Sequence, residues 1–152
     1  MEKANAEENT AARKPTILFV EDNMVLLKTY EQMFSSVKEL KAFQWIGYDS
    51  AEKALRWLNQ NATEDKPAAI VLDWIMEGAM DGLDLLKALK QDPRWKDVPV
   101  IMATSNRERA QVVKARASGA EDYVVKPIDT SVLTQKLGKW TSRRGEMKPA
   151  AA

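Results

Sequence analysis

Ala68-Ala-Ile-Val-Leu72 runs straight into Asp73, and this junction of a short apolar stretch with a carboxylate sets the reading of the whole chain. An uninterrupted apolar run with β-branched members suits a strand covered on both faces, as in a parallel sheet. The same plan recurs on either side. Thr16-Ile-Leu-Phe-Val20 stops at Glu21-Asp22-Asn23, Phe43 to Tyr48 reads as a second strand, Val98 to Ala103 stops at Thr104, and Tyr123-Val-Val125 stops at Lys126-Pro127. Helical periods fill the intervals. Leu26, Leu27, Tyr30, Met33 and Phe34 make one apolar face; Ser50 caps a helix that buries Ala51, Ala54, Leu55 and Leu58; Leu85, Leu86 and Leu89 follow and are closed off by Pro93. A fourth helix runs from about Arg107 to the helix-stopping Gly119, and a fifth carries Leu133, Leu137 and Trp140.

Strands and helices in strict alternation predict an α/β fold: a doubly wound, five-stranded parallel sheet with helices on both faces, because parallel neighbours need a crossover helix. Right-handed crossovers leave two common strand orders, and in either one ligands bind outside the carboxyl ends of the strands. The predicted domain covers residues 16–140. Residues 1–15 and 141–152 are polar and read as flexible tails.

Composition narrows the chemistry. The 152 residues are expected to make one domain of ordinary size, without a separate effector domain among them. Lys plus Arg (23) and Asp plus Glu (22) nearly cancel, so bulk charge points to neither nucleic acid nor an anionic membrane as partner. Cysteine and histidine are both absent, which excludes disulfides, thiolate nucleophiles and the commonest general base and zinc ligands. With no spanning apolar run and no secretion signal, a cytoplasmic location is expected. Any chemistry must run on carboxylates, hydroxyls and lysine.

Such groups interrupt the apolar pattern at the carboxyl ends of strands one, three, four and five: Glu21 and Asp22, Asp73, Thr104, and Lys126. The topology should bring them to one pocket. Three carboxylates held together repel and call for a hard divalent cation with oxygen ligands, Mg²⁺ above all. An aspartate can take a phosphoryl group when a metal and a cation neutralise the phosphoryl oxygens. Lys126 would supply the cation and Thr104 a hydroxyl donor.

At FVEDN, IVLDWIM, IMATS and EDYVVKP the chain resembles the receiver domain of two-component response regulators, over nearly all of Thr16 to Trp140. The resemblance implies the flavodoxin-like strand order 2-1-3-4-5. It implies that Asp73 accepts a phosphoryl group from a phosphohistidine, and that Glu21, Asp22, Asp73 and the main-chain carbonyl of Ile75 hold Mg²⁺ or Mn²⁺. It assigns phosphoryl contacts to Thr104 and Lys126, makes Thr104 and Tyr123 the switch pair, and gives Lys126-Pro127 a cis bond. Ile75 and Asn106, flanking the reaction line, are expected to set the rate at which water removes the phosphoryl group. The implied partners are a sensor histidine kinase or a histidine phosphotransfer protein, and a downstream protein that senses the switch, the chain being a monomer or weak dimer. It would promote only its own phosphorylation and dephosphorylation, and so is not an enzyme in the ordinary sense.

Two departures stand out. Met76 is followed by Glu77 where the family typically has proline, and the stretch to Gly82 is one residue longer than usual; Glu21 replaces the commoner aspartate and would reach the metal through water. The unusual loop keeps open an alternative, a receiver-like interaction module that is never phosphorylated. A haloacid-dehalogenase-like phosphatase needs a second aspartate where Ile75 stands, and a flavodoxin-type cofactor carrier would find Glu21-Asp22 repelling its phosphate.

Overall fold

A computed structural model of the chain describes residues 14–61, 66–76, 78–105 and 109–151. Five strands, β1 (Thr16–Val20), β2 (Gln44–Tyr48), β3 (Ala69–Asp73), β4 (Val100–Thr104) and β5 (Asp122–Val125), form one sheet in the order β2-β1-β3-β4-β5. All four neighbouring pairs are parallel, with Leu18 opposite Ile70, Leu72 opposite Met102 and Ala103 opposite Val124. The helices are α1 (Met24–Ser36), α2 (Ala51–Gln60), α3 (Gly82–Gln91), α4 (Arg109–Ala117) and α5 (Thr130–Ala151). The expected fold class and strand order are those observed.

Period-two alternation along the central strands splits the core into two layers. Leu18, Val20, Ile70, Leu72, Val100 and Met102 face one way and pack with residues of α2 and α3 and with Ala115 of α4. Ile17, Phe19, Val71, Ile101, Ala103 and Val124 face the other and pack with Leu27, Tyr30 and Phe34 of α1 and Leu133 and Leu137 of α5. Each fully buried large side chain is worth about 1.5–3 kcal/mol relative to exposure, so the central strands hold the sheet and the helices follow their apolar stripes.

Local signals open the helices, at Ser50 as the sequence suggests and at Asn23 and Asp81 beyond what it suggested. The Ser50 side chain accepts from the Lys53 N–H, and Asn23 caps α1 by accepting from the Val25 and Leu26 N–H groups. An Asp81–Asp84 capping box opens α3. Some boundaries move. Strand β4 starts at Val100 rather than Val98, because Pro99 has no N–H for the ladder, although its carbonyl still accepts from the Ile70 N–H. Thr104 closes β4 as a strand residue. Helix α4 starts at Arg109, and α5 continues past Trp140 to Ala151. A 3-10 turn at Lys38–Ala42 and a turn that buries Trp95 were not evident in the sequence.

Candidate functional site

The polar residues at the strand ends meet because parallel strands of similar length finish together. The Glu21 N–H donates to the Tyr48 carbonyl, the Trp74 N–H to Ala103 and the Lys126 N–H to Thr104, so the ladder continues to the rim of the pocket. One oxygen each from Glu21, Asp22 and Asp73 lies within 4.8 Å of the others. Glu21 and Asp73 are 2% and 7% exposed, unusually low for carboxylates, and Asp22 is half-buried.

Lys126 crosses from β5 to bind two of them. Its Nζ donates to Glu21 Oε1 at 2.5 Å and sits 2.8 Å from Asp73 Oδ1. Burial by itself would lower the Lys126 pKa, but the bonds from Asp73 and Glu21 outweigh it and hold the ammonium above its usual range. Burial, followed by the Asp73 carboxyl beside it, pushes Glu21 up to about 7, against the opposing pull of Lys126. Three carboxylates against one ammonium leave the pocket with excess negative charge. All its donors are hard oxygens, so the set fits Mg²⁺ or a similar divalent ion. Both oxygens of Glu21 already have partners, Lys126 and the Asn23 N–H (3.2 Å), which suits an indirect approach to a metal better than a direct one.

Thr104 is buried at the next strand end, beside Lys126 in register with Val125. Tyr123, three residues before Lys126, is half-buried and packs against the layer of α2, α3 and α4. Ile75 is 70% exposed just past Asp73, and the Lys126-Pro127 bond is cis. Asn106 and Glu77 lie outside the described residues.

Gly82 brings α3 onto the site. Its N–H donates to the Trp74 carbonyl at 3.1 Å, and a Cβ built on it would lie 1.9 Å from the Asp73 carbonyl oxygen. No side chain fits there. In the preceding loop Gly78 has a φ of 116°, in the left-handed region glycine enters readily.

Two features were missed in the sequence. The Tyr30 hydroxyl is buried with no hydrogen-bond partner among the described residues. Burial and then the charges of Glu21 and Asp73 raise its pKa, so it is a neutral donor facing a negative field. Asp122 is 9% exposed at the start of β5 and accepts from Lys136 (2.7 Å), Trp140 Nε1 (3.0 Å) and the Tyr123 N–H (2.8 Å). A signal existed: Asp122 and Val124 share one face of the strand, Val124 is core, and a buried acid requires a cation nearby.

The family model for the response regulator receiver domain matches residues 17–138. The chain is 44% identical over 70 residues to the chemotaxis protein CheY of Pseudomonas aeruginosa, covering 46% of this chain and 56% of that protein. It is 32% identical over 121 residues to the phosphate regulon transcriptional regulatory protein PhoB of Klebsiella pneumoniae, covering 80% of this chain and 49% of that one. The chain thus spans about half the length of these two relatives. A putative response regulator from Chloroflexus aurantiacus shares the fold with a TM-score of 0.75 at 24% identity, over 86% of this chain and 99% of the other. Among the described residues no helix is long and apolar enough to cross a membrane.

Proposed function

This chain belongs to the response regulator receiver domain family, and from that membership we propose that it accepts a phosphoryl group on Asp73 in a Mg²⁺-dependent reaction and signals through the proteins it then binds. The observation that carries the reading is the Lys126 ammonium, 2.8 Å from Asp73 and 2.5 Å from Glu21, with Asp22 completing the acidic group.

In the proposed reaction an Asp73 carboxylate oxygen attacks phosphorus and a P–O bond forms. The P–N bond to the donor histidine breaks, and its electron pair stays on the imidazole nitrogen. The donor is a sensor histidine kinase or a histidine phosphotransfer protein. Asp73, Asp22 and the Ile75 carbonyl would hold the divalent ion, with Glu21 contributing through water. Once bound, the ion neutralises oxygens of the transferring group. Lys126 swings from Glu21 toward the new phosphoryl oxygens, and the Thr104 hydroxyl donates to another. Thr104 moves inward as it does so, and Tyr123 turns into the space it leaves, which changes the surface around β5 that a downstream protein reads.

Incubation with Mg²⁺ and acetyl phosphate tests the reading. Mass spectrometry should show the gain of one phosphoryl group in the wild type and none in Asp73→Asn; no gain in either would favour the unphosphorylated interaction module. Loss of the group belongs to the same site. The aliphatic Ile75 offers no hydrogen bond to orient an attacking water, so Ile75→Asn should shorten the phosphoprotein half-life several-fold. Asn106→Ala probes the other flank, and unchanged lifetimes in both variants would defeat this assignment.

A further inference from the structure

Tyr123 and the helix that covers its edge of the sheet are linked by a lysine that none of the steps above uses. Strand β5 is an edge strand. The Tyr123 side chain packs with the layer of α2, α3 and α4, whereas α5 packs on the opposite layer through Leu133 and Leu137. Lys136 of α5 nevertheless reaches the ring: its Nζ lies 5.0 Å from the ring centroid, donates to the Tyr123 carbonyl at 2.8 Å and pairs with Asp122 at 2.7 Å. The ammonium therefore wraps round the open sheet edge. Two of its three contacts go to groups fixed by the β5 backbone or buried beside it, so they anchor the charge whatever the tyrosine ring does. The third depends on where the ring lies. Tyr123 and Lys136 also line one cavity of about 430 Å³ beside β5.

We propose that Lys136 is a positioning residue for the switch: its anchored ammonium, lying over the Tyr123 ring, favours the ring position seen here and so opposes the phosphoryl-induced turn. The proposal rests on Tyr123 turning when Asp73 is occupied. By linkage, whatever stabilises the unoccupied arrangement weakens binding of a phosphoryl mimic by the same factor. A cation over an aromatic face at a partly exposed site corresponds to about a two- to fivefold effect on an equilibrium.

The test is a double-mutant cycle on the affinity for beryllium fluoride in saturating Mg²⁺, measured by calorimetry. Lys136→Met removes the charge and keeps the stem, and it should tighten binding about two- to fivefold. In a Tyr123→Leu background the same substitution should change nothing, since no ring remains for the ammonium to hold. Lys136→Arg should behave as the wild type, because a guanidinium also lies over aromatic faces. Trp140→Phe cuts a different bond to Asp122 without touching the ring, so it should lower thermal stability and leave affinity unchanged. Unchanged or weaker binding in Lys136→Met, or the same shift with and without the Tyr123 ring, would overturn the proposal. No binding by the wild type, with Asp73→Asn as reference, would instead overturn the phosphoacceptor reading on which it rests.

Discussion

At the scale of single residues, the tension lies in how much polarity is buried around one pocket. Glu21, Asp73 and Lys126 offset one another, but the buried Tyr30 hydroxyl has no hydrogen-bond partner among the described residues. Its ring contributes to an aromatic group with Phe19, centroids 5.0 Å apart, and that packing survives removal of the oxygen. Tyr30→Phe should therefore leave the protein as stable as the wild type or more so by about 1 kcal/mol, in urea denaturation of the metal-free protein. A loss of stability would mean that the hydroxyl has a partner, such as an internal water bound to the acidic site.

Elements are held in place here by contacts that sequence position alone does not announce. Helix α3 can start where it does because Gly82 has no Cβ against the Asp73 carbonyl. Gly82→Ala should force the helix away from the strand end, cost about 1–3 kcal/mol and slow phosphorylation by acetyl phosphate. Gly138→Ala is the matched comparison, since a Cβ there meets nothing within 4 Å. It should stabilise α5 by about 0.5–1 kcal/mol and leave phosphorylation alone. The junction of β5 with α5 makes a different prediction. Burial by itself would raise the Asp122 pKa, but Lys136, Trp140 and the Tyr123 N–H together hold it below the ordinary aspartate value. A depressed folded value means stability that is fully present above the unfolded pKa of about 3.9 and is lost as the pH falls through the folded one. Asp122→Asn should remove this part of the acid sensitivity and lower stability at neutral pH by roughly 2 kcal/mol, in thermal melts from pH 7 to 2.

For the molecule as a whole, the pocket is a place where folding gathers like charges against their mutual repulsion. The sheet brings three carboxylates within 4.8 Å, and one lysine does not balance them. Mg²⁺ should therefore raise the stability of the entire domain, by about 2.7 kcal/mol at a hundredfold excess over its dissociation constant. Asp22→Asn and Asp73→Asn should lose most of that response in thermal melts. A rise of the same size in both variants would place the ion elsewhere.

The chain order of apolar runs and helical stripes was enough to give the parallel sheet, because burial on two faces leaves a pattern that local sequence records. The charged residues ending those runs, Glu21, Asp22, Asp73 and Lys126, were legible for the same reason: a charged group at the end of a buried strand breaks the pattern visibly. The uncharged Thr104 could equally have been a helix cap and was singled out only by the family resemblance. What folding alone decided depends on groups far apart in the chain. Lys126 had to meet Glu21 across 105 positions before its choice of partner existed, and Lys136 had to pass the edge of β5 before it could lie over Tyr123. The approach of Gly82 to Asp73 and the Tyr30 hydroxyl, unpartnered among the described residues, belong to the same class. Apolar burial is non-directional and averages over many residues, so the sequence carries it; hydrogen bonds, ion pairs and close backbone contacts are directional and short-ranged, so only the assembled structure can assign them.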